Sequence, residues 1–295
     1  MTEILTQAQI NSYQDNGYLV LENHLPSGIV KNIRHEIKRF EEESRELSES
    51  NERLELEVGH TADQPRIRRI RLPHTTSDVM RDLMYSDHIL APARDLIGPD
   101  LRLHTTKLNM KSAENGAVVE WHQDYAFYPH TNDDILAIGV IIDDMQSQNG
   151  PLMVYPGSHK GPVFDHHVDG VFAGAFVPEN VGLNPADAIE LTGPAGSISI
   201  HHGRIAHGSA VNNSDRSRRI LFYEMMAADA FPIVGSLTQW HGIEDYNTRM
   251  LCGKPTLTPR LKDIPIRIPQ PQPDVPISIY EIQKGLKKSG FETAN

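Results

Sequence analysis

The chain has 295 residues, with 28 Lys and Arg against 39 Asp and Glu, so its formal net charge is −11. Nucleic acid and anionic membranes are thereby excluded as main partners, because both require a basic face. The single cysteine, Cys252, excludes an internal disulfide framework and a cysteine-rich zinc site, and 39% apolar with 23% charged residues is the composition of an ordinary globule.

The opening residues MTEILTQAQINSYQDNG lack a basic start and an apolar run, and read as no signal peptide. Thr6-x-x-Gln9 has capping-box form and Asn16-Gly17 is a stop, which predicts a helix over 6–16. A strand follows over 18–22. Residues 27–46 place Ile29, Ile33, Ile37 and Phe40 on one face and predict a second helix. Residues 47–65 are polar and read as a loop. Pro65 to Arg71 (PRIRRIR) is a basic knot in an acidic protein. A helix is expected over 78–96, ended by Ile97-Gly98-Pro99.

From Leu101 to about Met226 short β-branched or alternating runs are separated by Asn-Gly, Pro-Gly and Gly-Pro turns. Strands are predicted at 101–111, 117–124, 135–143, 151–155, 196–202 and 219–225, the pattern of an antiparallel barrel or jelly roll. The longest apolar run, Ile135 to Ile142, has eight residues, far short of the ~20 that cross a bilayer. Seven of the twenty prolines fall between Pro255 and Pro276, which reads as an extended arm. Ser278-x-x-Glu281 then caps a last helix with Ile279, Ile282 and Leu286 on one side. The tail Glu292-Thr293-Ala294-Asn295 is no peroxisomal address. The expected architecture is mainly β with flanking helices, in one domain over 1–295. Residues 1–100 form a helical support, 101–226 a jelly-roll core, and 227–295 the arm and terminal helix. The expected location is cytoplasmic.

His122 and Asp124, in Trp121-His122-Gln123-Asp124 at the end of a predicted strand, point to one face if the backbone is extended. Alone, such a pair is weak. His207 follows 85 residues later in the same β-rich region, after the strand and glycine turn of Ser197 to Gly203, and Arg218 lies eleven residues beyond it. Two histidines and a carboxylate make the facial triad of non-haem Fe(II) oxygenases. Its open positions accept the 2-oxo acid of 2-oxoglutarate and O2, and a guanidinium clamps the distal carboxylate.

The run WHQD, then Asn149 to Lys160 (NGPLMVYPGSHK), then His207-Gly208-Ser209-x-x-Asn212 and Arg218, resembles the phytanoyl-CoA dioxygenase family, over roughly residues 8 to 226. The resemblance implies an Fe(II)- and 2-oxoglutarate-dependent dioxygenase with a double-stranded β-helix. It matches His122, Asp124 and His207 to the iron ligands, Arg218 to the 2-oxoglutarate arginine, and Ser209 to a second contact, with Arg219 the neighbouring alternative to Arg218. Since Asp124 is present, oxygenation is favoured over halogenation. Hydroxylation of a small molecule, with release of succinate and CO2, is the default outcome.

On the strand 101–111, Thr105, Lys107 and Asn109 share a face. In the resembling family this strand lines the cavity, which makes Thr105 and Asn109 candidate 2-oxoglutarate contacts and Lys107 a candidate substrate contact. The aromatic run Tyr125 to His130 leaves the metal site, and Tyr125 and Tyr128 are candidates to cover the substrate. Arg69 and Arg71 either pair with the acidic stretch 41–57 or hold an anionic substrate group. Trp121 reads as packing, His159 as part of a turn, and His130, His166 and His167 as solvated loop residues. Of His201 and His202 only one can face inward. The alternatives are a non-catalytic cupin-like metabolite-binding protein and a non-oxidative metal enzyme using the same triad. The partner is a small-molecule substrate, with a homodimer possible.

Overall fold

The computed structural model describes residues 4–114, 116–234, 242–275 and 278–291. Pro276 and the tail 292–295 lie outside the described residues. The strands are β1 (Tyr18–Leu21), β2 (Leu54–Leu56), β3 (Ile67–Arg71), β4 (Leu101–Lys111), β5 (Val119–His122), β6 (Ile135–Ile141), β7 (Leu152–Val154), β8 (His167–Val168), β9 (Val171–Phe172), β10 (Ile189–Leu191), β11 (Ile198–His202), β12 (His207–Ser209), β13 (Arg218–Ala227) and β14 (Met250–Cys252). The large sheet runs β1-β11-β6-β13-β4-β3-β2, with β14 also on β4; the small sheet runs β10-β7-β12-β5. From β4 to β7 and again from β10 to β13 successive strands alternate between the two sheets, β8 and β9 form a two-stranded sheet of their own, and neighbouring strands pair antiparallel. This is the double-stranded β-helix that the resemblance implies, a jelly roll as the turn spacing predicts.

Four helices cover the outer face of the large sheet: α1 (Gln7–Asn16), α2 (Ser27–Ser44), α3 (Asp78–Met84) and α4 (Asp87–Ile97). Thr6 caps α1 in the predicted box, and Gly17, at φ 82°, ends it in the left-handed region. Ile33, Ile37 and Phe40 of α2 are fully buried in one cluster with Leu108, Leu221, Tyr223 and Met225 of the sheet. Each such burial contributes about 2 kcal/mol. The inner face carries Ile141, Leu152, Val154, Ile220 and Phe222, which pack between the two sheets. Residues 220 to 223 of β13 thus alternate between the two cores, as a period of two requires. No helix among the described residues is long and apolar enough to cross a membrane.

Several expectations are corrected. The helix over 78–96 is two helices, because Ser86 is extended and its hydroxyl donates to Leu83 O at 2.7 Å, a local bond that competes with the helix. The loop 47–65 contains β2, in which Leu54 is fully buried and pairs with Ile70; three residues are too short to show a period. The last helix is a single turn (Ile279–Ile282) followed by a 3-10 turn. Ser278 precedes it but does not cap it, its hydroxyl donating instead to Glu55 at 2.7 Å. The arm is held by ion pairs of Arg260 with Asp229 and of Lys262 with Asp133.

Candidate metal centre and its two cavities

β5 delivers His122 at its end. Gln123 stays extended and Asp124 opens the short helix α5 (Asp124–Phe127). Directly across the ladder, His207 of β12 is the register partner of His122. Cross-strand pairing thus makes neighbours of residues far apart in the chain. One ligand atom from each of His122, Asp124 and His207 lies within 4.8 Å of the others, and all three residues are buried. Asp124 Oδ1 is 3.7 Å from His122 Nε2 and 3.9 Å from His207 Nε2. Nδ1 of His122 donates to Glu120 O at 2.7 Å, and Nδ1 of His207 to Ile205 O at 3.0 Å. A carbonyl only accepts, so both protons sit on Nδ1 and both Nε2 lone pairs face Asp124. Burial pushes His122 down to about 4 and His207 well below its usual value. Burial alone would raise Asp124, but Lys107 and the surrounding histidines hold it well below the carboxylate range. The set is therefore two neutral imidazoles and a carboxylate at neutral pH, a donor set that fits a divalent iron.

Two cavities meet at this set. His122 and His207 line the first, with Arg218, Asn109, Ser209 and Lys111. Asp124 lines the second, with Thr105, Tyr128, Glu224 and Arg71. Arg218 is 3% exposed, and its Nε and Nη2 donate to Gly150 O at 3.0 and 2.6 Å. The Gly150 turn has no space for a side chain, since φ is 68° and a Cβ would lie 2.5 Å from Ala210 O. Burial lowers Arg218 to about 10, so it stays charged at neutral pH. Lys111, also buried, donates to Ser209 O at 3.0 Å and to Ala210 O. Neither has an ion-pair partner among the described residues, and burial, with Arg218 nearby, holds Lys111 well below the usual lysine value. A buried guanidinium without a counter-ion fits a carboxylate. Arg219 takes the opposite face and pairs with Asp143 at 2.6 and 2.7 Å.

Lys107 borders both cavities, as does Arg69. Lys107 pairs with Glu224, whose other oxygen accepts from Tyr128 OH at 2.9 Å. Arg71 donates to Glu55 at 2.6 Å, and Arg69 lies 3.9 Å from it. The arginines thus pair with the 41–57 stretch, and they also line the cavities.

The remaining candidates fall differently. Thr105, an expected 2-oxoglutarate contact, lines the second cavity and not that of Arg218; four residues of strand separate it from Asn109 by about 13 Å. Tyr125 is brought to neither cavity wall. It is 1% exposed and donates to His130 O at 2.5 Å, packing with Tyr128 and Tyr246. His130 and His166 are not solvated but 1% exposed each. His166 is bonded on both nitrogens, to Gln123 N and Phe164 O. Trp121 packs against Tyr155 as expected. Of the adjacent pair, His201 faces inward, 3.5 Å from Asp124 Oδ2 and without a hydrogen-bond partner on either nitrogen. Sequence reasoning left open which of His201 and His202 faces inward and missed Glu224; strand parity with Ser199 and with Phe222 is the signal that could have found them.

His104, His130 and His166 lie outside the triad, and burial pushes them down to about 4, 3 and 3. In the unfolded chain they titrate near 6.5. Below that pH the unfolded chain binds protons that the folded chain does not. Stability is therefore fully present above pH ~6.5 and falls towards pH 4, by up to about 1.4 kcal/mol per pH unit for each histidine. Urea midpoints between pH 7.5 and 5 measure this, and a flat profile would contradict it.

A family model described as phytanoyl-CoA dioxygenase matches residues 13–220. The chain belongs to the phytanoyl-CoA dioxygenase family. It is 36% identical over 287 residues to a probable alpha-ketoglutarate-dependent hypophosphite dioxygenase of Stutzerimonas stutzeri, covering 96% of this chain and 99% of that one. It is 31% identical over 230 residues to an L-proline trans-4-hydroxylase of Streptomyces griseoviridis, covering 71% and 82%. Among solved structures, EctD from S. alaskensis with bound Fe superposes with a TM-score of 0.66 at 20% identity over 88% of each chain, a likeness of fold.

Proposed function

We propose that this chain, an Fe(II)- and 2-oxoglutarate-dependent dioxygenase, oxidises a small anionic substrate held by Arg69, Arg71 and Lys107 in the cavity of Asp124. The observation that carries the reading is the position of the three donors at the junction of two cavities. In this reading His122, Asp124 and His207 hold the metal, and the first cavity takes 2-oxoglutarate, with Arg218 as the clamp and Asn109 and Ser209 as further contacts. When bound, iron and 2-oxoglutarate supply the activation of O2, with succinate and CO2 as co-products and one oxygen atom delivered to the substrate.

The chain's own residues set the conditions. Arg218 pairs with a buried carboxylate, and Lys111 holds the carbonyls of Ser209 and Ala210 beside it. Glu120 O and Ile205 O fix the imidazole tautomers. The arginines orient an anionic group, and the aromatic walls of Phe127 and Tyr128 exclude water from the second cavity. The relative named as a probable hypophosphite dioxygenase supports a small anion. We also take 1–295 as one oxygenase domain, since α1–α4 and the large sheet share one core. A reducing cytoplasm, which keeps ferrous iron and Cys252 reduced, suits it.

Succinate release above the substrate-free background, with hypophosphite and methylphosphonate as probes, tests this. Arg69→Gln is expected to raise KM for the anion roughly 10- to 100-fold, the weight of a buried charge-assisted pair. Unchanged KM in both Arg69→Gln and Arg71→Gln would remove the anion site.

A further inference from the structure

The roof of both cavities comes from the far end of the chain. Ile279 and Tyr280 line the cavity of Arg218, and Ser278, Ile279 and Ile282 line that of Asp124. Among the described residues three side chains border both cavities, Arg69, Lys107 and Ile279. Ile279 is the uncharged one of the three, so its contribution at the divide is bulk.

The segment that carries it is fastened into the barrel. The Gln283 side chain accepts from Glu120 N at 2.9 Å and donates to Glu120 O at 3.4 Å and Gly174 O at 3.0 Å. The Glu120 carboxylate accepts from Ser289 Oγ at 2.6 Å and Gly290 N at 2.9 Å. Phe291 stacks on Trp121, with ring centres 4.9 Å apart. Glu120 and Trp121 lie on β5 immediately before His122, so the roof is riveted to the strand that brings a proposed metal ligand. At its other end Ser278 bonds to the buried Glu55, and Arg68 stacks over Tyr280 and pairs with Glu281. The family match ends at residue 220, so this wall is built from chain outside the matched part. A rigidly supported apolar side chain on a site wall discriminates by size, and one methylene changes the preference about 10- to 200-fold.

We infer that residues 278–291 form the selectivity wall of the active site and that the side chain of Ile279 limits the length of substrate admitted beside the metal. The inference rests on the reading of the second cavity as an anionic-substrate site. The test compares full-length wild type with Ile279→Ala and the volume-conserving Ile279→Met. Succinate release is measured with methyl-, ethyl-, propyl- and butylphosphonate. Ile279→Ala is expected to move the preferred chain length up by one or two carbons, changing the kcat/KM ratio of adjacent members about 10-fold, whereas Ile279→Met keeps the wild-type order. An unchanged order in Ile279→Ala overturns the inference. Should no phosphonate be turned over by any of the three proteins, the anionic-substrate reading has failed. The wall is then judged by calorimetric binding of 2-oxoglutarate to the Mn(II)-loaded proteins. Weakening by roughly 5-fold in Ile279→Ala supports it, and equal affinity overturns it. If Ile279→Ala does not fold, as a thermal melt reports, Ile279→Val carries the same comparison with a smaller shift.

Discussion

Replacing His122, Asp124 or His207 by alanine is expected to lower substrate-coupled succinate release by roughly 10³-fold or more, a loss of about 4 kcal/mol. Each residue supplies one of three donors, and the other two cannot close the set. For comparison, a change to a group that only orients a ligand costs about 10- to 100-fold in affinity or activity. Iron content after dialysis should fall in parallel, which separates loss of metal from loss of chemistry. The metal-free melting temperature serves as the folding control. Full activity in any of the three alanine variants would show that the donor set is wrongly assigned.

Substituting Arg218 by glutamine should weaken 2-oxoglutarate by about 10²-fold or more, because truncating one partner of a buried charged pair costs about 2–5 kcal/mol. The 2-oxoglutarate-dependent visible band of the anaerobic Fe(II) protein reads this without any substrate. Arg219→Gln is the matched control. That side chain is on the opposite face with Asp143, so co-substrate affinity should stay within about two-fold while stability falls by roughly 1 kcal/mol. The reverse outcome, with Arg219 carrying the affinity, would mean that the clamp is one residue away from the position argued.

The two experiments probe the two sides of one junction. The three donors come from β5, α5 and β12, and the proposed clamp Arg218 from β13 with its carbonyl partner at Gly150. A defect in the first should abolish coupled turnover at any 2-oxoglutarate concentration, whereas a defect in the second should be rescued in part by raising it.

Much of this was legible in the amino-acid order alone. The capping box at Thr6, the one-faced periodicity of Ile33, Ile37 and Phe40, and the turn-punctuated strands are local signals, and local signals survive without a fold. His122, Asp124 and His207 stood out as a candidate donor set, with Arg218 or its neighbour Arg219 as the candidate cation, because their residue types, order and spacing restrict the chemistry. Tertiary structure decided the rest. Alternation on β4 puts Thr105, Lys107 and Asn109 on one face, but it does not say that this face is the inside. The same period separates Arg218 from Arg219 without choosing between them, and the choice came from packing of Leu221 and Tyr223 against the helices. Burial of His130 and His166, the pairing of the arginines with Glu55 and the closing of the cavities by Ile279 depend on contacts between residues far apart in sequence, some by more than two hundred positions. No local pattern encodes such contacts, because their free energy exists only once the sheets, the helices and the returning C-terminal segment share one interior.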